Sequence, residues 1–156
     1  MLKMFIACED KASFLRACRV RHQVEALCDN EIDVSPVFWN FALLRHEGLQ
    51  EWAVMEAASA EMIIVSLNGG SELPDHVKSW AEKLPIRTDT GQTALVALIG
   101  SNGRVGPSWE EDVAYLQDIA EGRGMDFFCN QQGGWGIGGV APRNRCADRV
   151  VWGAGM

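Results

Sequence analysis

Two adjacent acids, Glu9 and Asp10, close the short apolar run from Leu2 to Cys8. Carboxylates delivered together to the end of a buried strand suit a hard, oxygen-liganded cation such as Mg2+, or a general acid and base. A second run, Met62-Ile63-Ile64-Val65, is followed by Ser66, Asn68 and Ser71. Asn68 or a backbone carbonyl could complete the shell of a hydrated cation at Glu9 and Asp10, with Ser66, Asn68 and Ser71 orienting a substrate. The same residues have a plainer use, in which Asp10 caps the helix that follows it and Glu9 is solvated. Both uses stand open in the sequence.

Other chemistries are less well supplied. Cys8, Cys18, Cys28, Cys129 and Cys146 are odd in number and scattered, which suits small buried hydrophobes in a reducing compartment better than disulfides or zinc. His22, His46 and His76 fall on or beside different predicted elements, and no motif joins them to a nucleophile. Gly134-Trp135-Gly136-Ile137-Gly138-Gly139 satisfies G-x-G-x-x-G, but it opens no helical pattern and Pro142 soon interrupts, so the dinucleotide-binding context is missing.

The elements that must position the acids follow from periodicity. Leu2 to Cys8 predicts a buried strand, and Lys11 to Cys28 an amphipathic helix on Phe14, Leu15, Ala17, Cys18, Leu27 and Cys28. Ile32 to Leu44 is β-branched and aromatic but contains Pro36, which fits an edge strand. Leu49 to Ala60 predicts a helix, and Met62 to Val65 a central strand covered on both faces. Leu73 to Leu84, with Pro74 in its first turn, predicts a third helix, and Ala94 to Ile99 the clearest buried strand. A helix from Ser108, with Glu110 and Glu111 where the dipole favours acids, leads to a fifth strand at Asp126 to Cys129. Five strands alternating with four helices imply an α/β/α sandwich with a parallel sheet of order 2-1-3-4-5, the flavodoxin-like arrangement. Its ligands would bind at the switch point between strands one and three, beside Glu9, Asp10, Ser66 and Asn68. Residues 1–131 would form this domain and 132–156 a Gly-rich, largely irregular tail.

The acid pair Glu9-Asp10, the third strand Met62-Ile63-Ile64-Val65-Ser66-Leu67-Asn68 and the fivefold alternation resemble the receiver domain of bacterial response regulators, over roughly residues 2–131. That family ends its third strand in a phosphorylated Asp, whereas Ser66 stands in that place here, and an alcohol cannot form the acyl phosphate. The family's Ser or Thr after strand four falls at Gly100 or Ser101, and its Lys after strand five near Asn130. The resemblance therefore implies a degenerate receiver-like module without the phosphoacceptor. A flavodoxin shares the topology, but Cys8-Glu9-Asp10-Lys11 sets two anions where a flavin phosphate would lie.

With 156 residues, 47% hydrophobic and 22% charged, the chain has the make-up of a single globular domain, and its apolar runs are too short to cross a bilayer. The net charge of −7 opposes nucleic acid and anionic membranes as partners. The last 24 residues carry Arg143, Arg145 and Arg149 against Asp148, a local +2 that leaves −9 on the preceding 132. The N-terminal stretch has no long apolar segment of the secretory kind, so a cytoplasmic protein is expected. Two functions from different classes follow. One is a non-catalytic interaction or signalling module, pairing with itself or another protein through an aromatic edge at Phe38, Trp39 and Phe41 and an adjacent helix face. The other is a metal-dependent or nucleotide-binding small-molecule enzyme centred on Glu9 and Asp10.

Overall fold

In the computed structural model the described residues are 2–27, 33–68, 72–86, 93–100, 108–131 and 134–136. Strands β1 (Leu2–Cys8), β2 (Val34–Asn40), β3 (Met62–Leu67), β4 (Ala94–Ile99) and β5 (Asp126–Gln131) form a parallel sheet in the order 2-1-3-4-5. Helices α1 (Lys11–Leu27), α2 (Glu47–Ala58), α3 (Asp75–Glu82) and α4 (Ser108–Gly122) make the crossovers. The topology is flavodoxin-like, as the alternation predicts. A short strand β6 (Gly134–Gly136) pairs antiparallel with β5, so part of the Gly-rich stretch joins the sheet edge. None of the described helices is long and apolar enough to cross a membrane.

The distribution of helices follows from the strand order. Stepping from β1 out to β2 and then back past it to β3, β4 and β5 reverses direction once, and crossovers of one hand then place α1 on one face and the later helices on the other. Alternate strand residues accordingly feed two cores. Met4, Ile6, Met62, Ile64, Val96, Leu98 and Phe128 pack with Ala17, Val20 and Val24 of α1. Phe5, Ile63, Val65, Leu95, Ala97 and Phe127 pack with α2, α3 and α4. Phe5 is stacked between Trp39, at 6.3 Å between centroids, and the fully buried Trp80, at 5.2 Å.

Two expectations are corrected. The buried stripe of α1 is Ser13, Ala17, Val20 and Val24, while Phe14, Leu15 and Leu27 are exposed. Small and β-branched residues allow α1 to lie close on the sheet, and Phe14 turns outward onto Phe38, with ring centroids 4.9 Å apart. The second strand stops at Asn40, whose side-chain oxygen accepts from the Ala42 N–H at 2.8 Å and starts a 3₁₀ helix over Phe41–Arg45. The aromatic edge is therefore divided, because Trp39 and Phe41 turn into the core and only Phe38 is exposed.

The edge position of β2 explains Pro36. The Leu2 N–H donates to the Asp33 carbonyl at 2.7 Å, so residues 33, 35, 37 and 39 direct their main-chain groups at β1 and residues 34, 36, 38 and 40 direct theirs outward. The missing N–H of Pro36 thus falls on the outer side, where it costs the sheet no bond and hinders addition of another strand.

Candidate functional site

The site lies where β1 and β3 end side by side, with Cys8 opposite Ser66 in the parallel register. It brings together four of the residues singled out by sequence, Glu9, Asp10, Ser66 and Asn68. Ser71 and Ser101 lie outside the described residues.

Asp10 performs the capping role. Its Oδ1 accepts from the Ser13 N–H at 3.0 Å, while the Ser13 Oγ accepts from the N–H of Asp10 at 2.8 Å and of Glu9 at 2.8 Å. This is a reciprocal cap in which Ser13 takes the part that Glu or Gln plays in the commoner motif. The other oxygen of Asp10, Oδ2, accepts from the Asn68 side-chain amide, and Glu9 Oε1 accepts from the Asn68 N–H at 3.0 Å. Desolvation opposes ionisation of Asp10. The Ser13 N–H, the Asn68 amide, the Ser13 hydroxyl and the Arg16 charge outweigh it and hold the carboxyl below its ordinary pKa.

Ser66 is fully buried, and its hydroxyl donates to the Ser13 carbonyl at 2.7 Å, tying β3 to α1. Neither the hydroxyl's burial nor its bond suits a group that must meet a phosphoryl donor. Asn68 is 8% exposed, and its Oδ1 has no hydrogen-bond partner among the described residues.

Sequence reasoning missed Ser13 and Arg16. The spacing Asp10-x-x-Ser13 was the available sign of the cap. Arg16 lies three residues after Ser13 and four before Val20, both on the buried stripe, so it too can reach over the sheet. Its Nη1 donates to the Leu67 carbonyl at 3.1 Å, the same oxygen that accepts the Gly100 N–H at 2.8 Å, so the guanidinium closes the gap between the ends of β3 and β4. Burial and the nearby Arg19 lower the pKa of Arg16, against Asp10 and Glu9, which raise it. A guanidinium remains a cation at neutral pH under such shifts.

The buried thiols of Cys8 and Cys129 are poor nucleophiles. Burial first, then Cys18 and Asp10, push Cys8 up to about 12, and burial pushes Cys129 up to about 11. Cys8, Cys18 and Cys129 are unbonded, and among the described residues no three His, Cys, Asp or Glu side chains gather into a metal-holding group. No protein-family model matches the chain, and no curated sequence matches it.

Proposed function

We propose that the chain is a non-catalytic, receiver-like module that works through protein contacts, either with a partner or with a second copy. One observation carries this most directly. The polar groups at the switch point are tied to one another, with Asp10 capping α1, Asn68 bonded to both acids, and the Ser66 hydroxyl buried against the Ser13 carbonyl. Such an arrangement holds a fold together and presents no activated nucleophile. The exposed apolar side chains Phe14, Phe38, Trp52 and Met55 offer contact surface. The acidic charge argues for protein rather than nucleic acid, and the scattered cysteines suit the cytoplasm.

The test is exposure of the full chain to acetyl phosphate and Mg2+, read by intact mass. No phosphoryl adduct is expected. An adduct that requires Mg2+ would overturn the proposal.

The Asn68 Oδ1, without a hydrogen-bond partner among the described residues, favours a second reading. With Glu9 and Asp10 it offers oxygen donors for a hydrated Mg2+, as a metal-dependent or nucleotide-binding enzyme would need. Mg2+-dependent hydrolysis of a nucleotide, lost in Asp10→Ala, would support it.

A further inference from the structure

On α2 the outward positions Gly48, Trp52, Met55 and Ser59 recur at intervals of four, three and four, so they form one continuous stripe. Trp52 is 57% and Met55 71% exposed, the latter the most exposed large apolar side chain among those described. Trp52 is held in place from below, its ring meeting the edge of Trp39 at 6.2 Å between centroids. At Gly48 an added Cβ would meet nothing within 4 Å, so the stripe opens at that end onto free space.

One flank of the stripe is acidic, and on the other the single acid is paired with a lysine. Glu47 and Glu51 run along one side, one turn apart and exposed, and Glu56 lies on the other, 3.3 Å from Lys3. The helix contains three Glu and no Lys or Arg. A second copy docked through the same stripe would set these acids against their own kind, and an anionic membrane would be repelled by them. A helix with an apolar face and a basic margin meets both features at once, its leucine-like side chains on Trp52 and Met55 and its cations against Glu47 and Glu51.

We propose that the Trp52–Met55 stripe of α2 is the docking site for a basic amphipathic helix of a partner protein. This rests on the interaction-module reading and names its partner's chemistry.

The test uses the full chain and a dye-labelled synthetic helix of about four turns built from Leu and Lys, with a Leu and Glu peptide of the same pattern as control. Binding is read by fluorescence anisotropy. The basic peptide is expected to bind in a salt-sensitive manner and the acidic one not to bind. Trp52→Ala is expected to weaken binding by roughly tenfold or more, and Met55→Ala to act in the same direction. Glu47→Lys with Glu51→Lys should also weaken it, while Phe14→Ala, on the other face of the sheet, should not. Equal binding of both peptides, binding indifferent to Trp52→Ala and Met55→Ala, or no binding at all would overturn the proposal. So would a concentration-dependent dimer of the chain that Met55→Ala dissolves, since a second copy would then occupy the stripe. A chain that binds no peptide and takes no phosphoryl group loses only this site, whereas phosphorylation overturns the reading beneath it.

Discussion

The guanidinium of Arg16 lies so close over Gly100 that an added Cβ would sit 2.3 Å from its Nη2 and 2.7 Å from its Nη1. A side chain at position 100 would thus have to push the guanidinium aside, and that guanidinium is the group that bonds the Leu67 carbonyl. Arg16 serves as a bracket across the ends of β3 and β4, as Asp10 and Asn68 do across β1 and β3.

Gly100→Ala should displace Arg16 from Leu67 and cost about 1 kcal/mol, the scale of one hydrogen bond on a side chain that can swing aside. In an Arg16→Ala background the same change should cost clearly less. Urea melts of the four proteins give the coupling directly.

Asp10 should make the fold acid-sensitive. Its folded carboxyl titrates below the ordinary value, so the unfolded chain takes up protons first as pH falls. The stabilisation is full above the unfolded pKa and is lost as pH falls through the folded one. Asp10→Ala should cost about 1 kcal/mol at neutral pH through loss of the cap, and its melting temperature should decline less steeply under acid than that of the parent.

Ser66→Ala should cost about 1 kcal/mol by removing the bond to the Ser13 carbonyl. Ser66→Asp, which restores the residue type of a receiver's phosphoacceptor, should cost about 3 kcal/mol or more, because it buries a charge against a carbonyl oxygen. Chemical denaturation separates the two outcomes, and a stable Ser66→Asp protein that accepts a phosphoryl group would contradict the geometry.

Asp112 behaves in the opposite sense to Asp10. It is buried on α4 and accepts the Leu73 N–H at 3.1 Å, and desolvation, aided by Glu72 and Glu111, raises its pKa against the Leu73 bond and Lys78. Its contribution is therefore fullest below the unfolded pKa and is lost as pH rises through the folded value. Asp112→Asn keeps an acceptor for Leu73 without the charge. At neutral pH it should be at least as stable as the parent, with the decline between acid and neutral pH reduced in a melting series.

Legibility in the sequence followed the physics of each element. Met62 to Val65 and Ala94 to Ile99 are apolar throughout because both faces are covered, so these strands and the sheet order could be inferred from periodicity and connection rules. The face of α1 could not. Phe14 and Leu15 are the bulkier residues, but close packing on the sheet kept Ala17 and selected Ser13, Val20 and Val24 in place of the others. At the candidate site Glu9, Asp10 and Asn68 were visible as types near strand ends, and the capping use of Asp10 was one of the two alternatives the sequence allowed. That Asn68 would join both acids, and that Arg16 would reach Leu67, depends on contacts 51 to 59 residues apart, which no local pattern records.

The most direct test of the central claim, that the strand-end groups tie the fold together rather than serve a ligand, is a thermal-shift series on the full chain. The parent and Asp10→Ala are melted with Mg2+, Mn2+, Ca2+ and a panel of nucleotides. Ligand that binds the native state raises its apparent stability by mass action. The expected result is a melting temperature indifferent to every addition, with Asp10→Ala lower by the same amount in each. A rise with a divalent cation or nucleotide in the parent, abolished by Asp10→Ala, would contradict it and establish Glu9, Asp10 and Asn68 as a ligand site.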